Sequence, residues 1–85
     1  MVIIYSAARC SYCDRAKVFF QQNGVDFQEV KREEHPEEFA QMIEKYSVRT
    51  VPQIFIHGNH VGGFDDLCAL GATELQALLQ SEEKK

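Results

Sequence analysis

Cys10 and Cys13 stand two residues apart, with Ser11 and Tyr12 between them. Two sulfurs at that spacing can close a disulfide and reopen it. The apolar run Ile3-Ile4-Tyr5 leads through Ser6-Ala7-Ala8-Arg9 into the pair, and a helical pattern running from Asp14 to Phe20 begins at the same point. The first N–H groups of a helix have no partner within it and carry partial positive charge, which stabilises an anion. A thiolate is an anion, so Cys10 should have a lowered pKa and be the reactive thiol.

Other uses of cysteine fit less well. The chain has three cysteines, the third being Cys68. An odd count suits neither a stapled secreted scaffold nor a closed zinc site, which needs four ligands. His57 and His60 could complete such a site in principle, but their spacing reads as a turn. Attachment of a c-type haem needs His directly after the second cysteine, where Asp14 stands. No metal is therefore expected, and thiol–disulfide exchange remains.

A chain of 85 residues is expected to form a single domain, residues 1–85, with one modest core. A domain of this size buries roughly 60–65% of the surface of its unfolded chain. Hydrophobic residues make up 45%, which favours a globular fold over disorder. The net charge of −4 comes with no basic stripe, so nucleic acid is not an expected partner. Val2 to Tyr5 is too short for a signal segment, and nothing approaches the ~18 apolar residues of a membrane span. The expected location is the cytoplasm.

The elements that must position the sulfurs follow from pattern. Val2 to Tyr5 reads as a strand covered on both faces. The first helix opens at Cys10 or Ser11, with Ser11 and Asp14 at the spacing of a capping pair. Cys13, Ala16, Phe19 and Phe20 give its apolar face, and Asn23-Gly24 closes it. Val25 to Val30 reads as a second strand and Lys31 to Glu34 as a charged connector. Pro36 suits a first helical position, behind His35 as a solvated residue or cap. Phe39, Met42, Ile43 and Tyr46 then mark an amphipathic helix. Gln53 to Ile56 is a third strand with Pro52 at its start. Gly58-Asn59 signals a hairpin into the short strand His60-Val61. A helix with Leu67 and Leu70 follows and breaks at Gly71. Thr73 and Gln76, at capping-box spacing, begin a last one with Leu75, Leu78 and Leu79 inward. Residues 81–85 should fray. This is an α/β chain in the order β-α-β-α-β-β-α. The first two strands should be parallel and the last two antiparallel, in a mixed four-stranded sheet flanked by helices.

Three motifs now stand in one chain: Cys10-Ser11-Tyr12-Cys13, Thr50-Val51-Pro52-Gln53-Ile54-Phe55-Ile56 and Gly62-Gly63-Phe64-Asp65-Asp66-Leu67. In this order and at this length they closely resemble a small bacterial dithiol glutaredoxin, over nearly the whole chain. The resemblance implies the thioredoxin fold and a cis Pro52. It implies a glutathione-dependent oxidoreductase of electron transport and cell redox homeostasis, reducing protein disulfides and glutathione mixed disulfides. Cys10 then matches the nucleophile and Cys13 the resolving cysteine of a redox-active disulfide. Glutathione would be the co-substrate, and glutathionylated or disulfide-containing proteins the partners of a monomer. By the same resemblance Tyr12 lies along the bound tripeptide. Val51, before Pro52, pairs with its cysteinyl part, and Thr50 and Arg49 lie in the same lip. Gly63, Phe64, Asp65 and Asp66 hold its γ-glutamyl end.

Two positions depart from the family pattern. Ser11 stands where proline is common, and Ala7 where lysine is common. Arg9 either replaces that missing charge as a glutathione contact or is an ordinary solvated residue. Cys68 reads as a partly buried small residue, with a regulatory oxidation as the alternative. Two other functions share the framework. One is a dimer carrying a [2Fe–2S] cluster on the first cysteine and bound glutathione. The other is a dedicated donor to one enzyme such as ribonucleotide reductase.

Overall fold

Both faces of the central strands are apolar, and the chain wraps helices over both. The computed structural model describes residues 1–80. Strand β1 (Val2–Ser6) leads into helix α1 (Ser11–Gln22), strand β2 (Gln28–Lys31) and helix α2 (Pro36–Tyr46). Strands β3 (Gln53–Ile56) and β4 (Asn59–Gly62) follow, then helices α3 (Phe64–Ala69) and α4 (Ala72–Gln80). The sheet order is β2-β1-β3-β4. β1 runs parallel to β2 and antiparallel to β3, and β3 runs antiparallel to β4. This is the mixed four-stranded sheet expected, with its last helical region divided in two.

Side chains alternate across a strand, so one strand can feed two cores. Val2 and Ile4 of β1, with Ile54 and Ile56 of β3, pack with Ala16, Phe20, Leu67 and Leu75. Leu78 and Leu79 lie against the same cluster, as their spacing implied. On the opposite face Phe55 packs with Phe39 and Met42 of α2, flanked by Ile3, Tyr5, Ile43 and Tyr46. In α2, Pro36 takes an early position, Glu37 and Glu38 the first turn and Lys45 the last. Those charges complement the helix dipole.

Several boundaries differ from the sequence expectation, each for a local reason. The second strand starts at Gln28 rather than Val25. Val25 N–H instead bonds the Phe20 carbonyl at 2.9 Å, and Gly24 N–H bonds Gln21 at 3.1 Å. With Gly24 at φ +68° this pair of bonds caps α1 and takes Val25 out of the sheet. The hairpin turn is His57-Gly58, one residue earlier than expected, because Ile56 pairs with Asn59. Both turn residues have positive φ, 50° and 82°, as a two-residue turn matched to strand twist requires. The last strand therefore spans Asn59–Gly62, not His60-Val61 alone.

Ser11 does not cap α1. Cys10 does, and Ser11 is the first helical residue. Helix α4 begins one residue ahead of Thr73, which lies inside its first turn, while Leu75 N–H bonds the Gly71 carbonyl at 3.0 Å. His35 is the cap residue of α2 without a side-chain capping bond, and its ring lies 3.5 Å from Glu38. Cys68 is exposed, not partly buried. It follows the inward Leu67 around a helix, which turns it toward solvent. The expectation of fraying at 81–85 lies outside the described residues.

Candidate active site

The sulfurs lie where the C-terminal end of β1 and the start of β3 come together. Tyr5 pairs with Gln53 across these antiparallel strands, so the loop after β1 and the segment before β3 leave the sheet side by side. Cys10 is the N-cap of α1, and its sulfur accepts from Cys13 N–H at 3.1 Å. That N–H is one of the helix-start donors that lack a partner in the helix. The same donor stabilises a thiolate at Cys10 once the pair is reduced. Here Cys10 and Cys13 are joined in a disulfide, with Cα atoms 5.2 Å apart. Cys10 is half-buried, and Cys13 lies inward at 1% exposure.

The Val51–Pro52 peptide is cis, as the resemblance implied, and the Val51 carbonyl oxygen lies 3.8 Å from Cys10 Sγ. From that lip a groove of about 510 Å³ runs across the edge of the sheet toward α3. Of the residues expected to bind, Tyr12, Thr50, Val51, Pro52, Gly63, Phe64, Asp65 and Asp66 all line it. Tyr12 is half-exposed at its mouth. Its ring faces Phe64 at 6.2 Å, and the Arg15 guanidinium lies 5.3 Å from its centre. Asp66 accepts from Gly63 N–H at 2.9 Å, so its carboxylate fixes the turn into α3.

Arg9 and Arg49 are exposed on the adjoining loops and lie outside the groove lining. Arg9 takes φ 57° in the loop that delivers Cys10. Four lining residues were not expected: Val48, Gln53, His60 and Gly62. Gly62 was signalled by its motif. His60 reaches the groove only through the β3–β4 register, which a sequence does not display. Among the described residues no group of three or more His, Cys, Asp or Glu is placed to hold a metal ion. His57 instead contacts the Met1 amine and the Leu79 carbonyl. A second groove, about 410 Å³, opens on the α2 face between Tyr5, Met42, Tyr46 and Phe55.

Gly62 sets the angle at which the groove turns into α3. Its φ is +115°, and an added Cβ would come within 2.9 Å of Asp66 Cγ. Gly62→Ala should therefore cost about 1–3 kcal/mol through backbone strain and a displaced Asp66. Urea unfolding measures the loss, and an unchanged midpoint would contradict it.

Charges under the Cys10 loop hold it to the sheet. Ser6 Oγ donates to Glu29 at 2.6 Å, and Lys17 Nζ reaches the same carboxylate at 3.0 Å. These contacts join β1, β2 and α1. Lys17 also pairs with Asp14 at 3.4 Å. Burial pushes the Glu29 carboxyl up, but the Ser6 and Lys17 hydrogen bonds, with the Lys17 and Lys31 charges, outweigh it and leave its pKa below the ordinary value of 4.5. The hydrogen bond that Lys17 donates to Glu29 in turn raises the Lys17 pKa, against a smaller effect of burial. Beside them Ala8 N–H bonds the Glu33 carboxylate at 3.2 Å and lowers its pKa.

A carboxylate with a lowered folded pKa contributes stability above its unfolded value and loses it as pH falls through the folded one. Glu29→Gln should cost about 1–2 kcal/mol at pH 7, the scale of a hydrogen bond to a charged group. The gap to wild type should close as pH falls below 4.5. Chemical denaturation at a series of pH values tests this. A gap that stays constant down to pH 3 would refute it.

A glutaredoxin family model matches residues 2–61, well over half the chain. A glutaredoxin of Pseudomonas aeruginosa is 51% identical over 81 residues, covering 94% of this chain and 96% of that one. The chain belongs to the glutaredoxin family. Among solved structures, wheat glutaredoxin superposes with a TM-score of 0.82 at 36% identity, over 92% of this chain and 77% of that one. A buckwheat glutaredoxin–glutathione complex superposes at 0.72 with 28% identity, over 92% and 71%. The fold of this glutaredoxin is accordingly thioredoxin-like, with its cysteine pair in the α1 position. Glutaredoxins are thiol–disulfide oxidoreductases, and in this one Cys10 and Cys13 are joined in a disulfide. Among the described residues no helix is long and apolar enough to cross a membrane.

Proposed function

We propose that this glutaredoxin is a cytoplasmic, single-domain, glutathione-dependent reductase of protein disulfides and glutathione mixed disulfides. The observation that carries the reading is the place of Cys10 Sγ. It caps α1 on the Cys13 amide and lies 3.8 Å from the Val51 carbonyl, where the groove begins. Exchange needs a thiolate, an accessible path to it and a leaving sulfur held in line. The helix start supplies the first, and the groove supplies the second and third.

With a mixed disulfide, the Cys10 thiolate attacks the glutathione sulfur. A bond from Cys10 to glutathione forms, and the target leaves as a thiolate that takes a proton from water. A second glutathione thiolate then attacks the bound glutathione sulfur. Glutathione disulfide leaves, and the Cys10 thiolate returns. With a protein disulfide, Cys10 attacks one target sulfur and Cys13 then attacks Cys10. The target departs as a dithiol, and the Cys10–Cys13 disulfide that forms is reopened by two glutathiones.

Glutathione docking follows from the groove chemistry. Val51 presents its backbone to the cysteinyl part of the tripeptide, beside Thr50 and Pro52. The turn at Gly63-Phe64 and the carboxylates of Asp65 and Asp66 take the γ-glutamyl end, a carboxylate attracting its ammonium. Tyr12 covers the tripeptide from α1. The buckwheat relative, solved as a glutathione complex, supports glutathione as the ligand.

Glutathione-coupled turnover on a glutathionylated peptide, beside a plain protein disulfide, tests the reading. Turnover on the mixed disulfide is expected, and its absence would overturn the proposal. Visible absorbance after anaerobic purification with glutathione would mark the cluster-carrying alternative instead.

A further inference from the structure

One lining residue of the groove is tied to the lip by a directed chain of hydrogen bonds. His60, on β4, meets Gln53 Oε1 through Nε2 at 2.7 Å. Gln53, 3% exposed, passes its Nε2 to the Thr50 carbonyl at 2.9 Å and to Thr50 Oγ1 at 3.2 Å. The Thr50 carbonyl can only accept, so the amide nitrogen of Gln53 must face it and Oε1 must face His60. A carboxamide oxygen can only accept in turn, so His60 must carry its proton on Nε2. Thr50 Oγ1 accepts from Gln53, so its own proton points elsewhere, and Thr50 lines the groove.

The His60 ring is held for this task. It stacks on Phe55, its cross-strand partner, at 4.8 Å and 27°, and meets Tyr46 of α2 at 4.9 Å. The Lys45 ammonium lies over the Tyr46 ring at 5.4 Å. His60 is itself exposed; the Phe55 and Tyr46 rings bound it on two sides while Nε2 faces Gln53.

We infer that His60 and Gln53 are positioning residues that present the Thr50 hydroxyl as a donor to a carboxylate of the peptide bound in the groove. The inference deepens the glutathione reading above and rests on it. Gln53 already occupies an acceptor site of Thr50 Oγ1 before the ligand arrives, which leaves its O–H to donate, so the effect falls on binding of the tripeptide rather than on sulfur exchange. Among the described residues, none that lines the groove is Lys or Arg, which leaves neutral donors such as this hydroxyl to meet a carboxylate there.

The test is steady-state turnover of a glutathionylated peptide by wild type, His60→Phe, His60→Gln, Thr50→Val and the double variant H60F/T50V. Phenylalanine keeps the stack on Phe55 and Tyr46 and removes the donor. It should raise KM for the peptide about 3–10-fold, the effect of one lost hydrogen bond, with kcat reduced less than about twofold. Glutamine restores an N–H donor and should bring KM back to within about twofold of wild type. Thr50→Val should match His60→Phe, and the double variant should be no worse than either, because both remove the same interaction. A His60→Phe variant with unchanged KM, a His60→Gln variant no better than it, or a double variant with multiplied losses would overturn the inference. A measurement on wild type needs no variant to fold: nitrogen chemical shifts of the His60 ring should report the Nε2–H form, and the Nδ1–H form would overturn the chain of bonds. Absence of wild-type turnover would overturn both this inference and the glutathione reading. Normal wild-type turnover with an unaltered His60→Phe would overturn this inference alone.

Discussion

Cys10→Ser should abolish glutathione-dependent turnover altogether, while Cys13→Ser should keep the reduction of mixed disulfides and lose that of protein disulfides. The asymmetry follows from position. Cys10 caps α1 and is half-buried beside the Val51 lip of the groove, whereas Cys13 is 1% exposed. Of this pair, Cys10 is the one that meets an incoming disulfide. A serine oxygen in its place is not ionised at neutral pH and does not replace the thiolate as nucleophile in exchange. A loss beyond ~10³-fold, about 4 kcal/mol of barrier, is the scale for removing a reacting atom. Cys13 is needed only where the first target sulfur must be displaced by a second protein thiol. Glutathione performs the corresponding step on mixed disulfides from the groove. Turnover assays on the two substrate types measure both claims. Retained activity in Cys10→Ser, or loss of mixed-disulfide reduction in Cys13→Ser, would reverse the assignment.

Phe20→Ala should be the most damaging core substitution, costing about 3–5 kcal/mol. Phe20 is fully buried between α1 and the sheet, with Phe19 at 5.5 Å and Phe27 at 6.3 Å. Alanine leaves a cavity that these rings, held by their own packing, fill only in part. A domain of this length has a total stability of about 4–13 kcal/mol, so the loss takes a large share of it. Each kcal/mol corresponds to about 4–8 °C in melting temperature for a domain of this size. Calorimetry on the reduced and oxidised forms reads the change, and a shift below 5 °C in both would show that the site repacks.

The site was legible where chemistry and backbone preference coincide in adjacent residues. Cys10-Ser11-Tyr12-Cys13 told its own story, because a cysteine pair at a helix start has few other uses. The groove walls were legible through the other two motifs, of which Thr50 to Gln53 and Gly62 to Asp66 line it in the structure. Position along the chain misled where a residue's role depends on what it meets in space. Val25 reads as strand and is captured by the carbonyl of Phe20. Ser11 reads as a cap and is displaced from that role by a sulfur. Arg49 adjoins Thr50 in sequence yet stays out of the groove, and His60, seven residues beyond Gln53, enters it. The hairpin turn lay one residue from its expected place, because Gly58 serves equally well as the first or second turn residue until the pairing of Ile56 with Asn59 decides.

The pairing of Tyr5 with Gln53 works as a ruler. Sliding β1 by one place along β3 would turn every side chain of β1 to the wrong face, and both faces are apolar packing surfaces. The points at which the Cys10 loop and the Val51 segment leave the sheet are thus fixed by strand register. Surface changes on the solvent sides of α2 and α4 leave that gauge untouched, so the outer skin of this protein is free to be rewritten for new encounters while the reacting atoms keep their spacing.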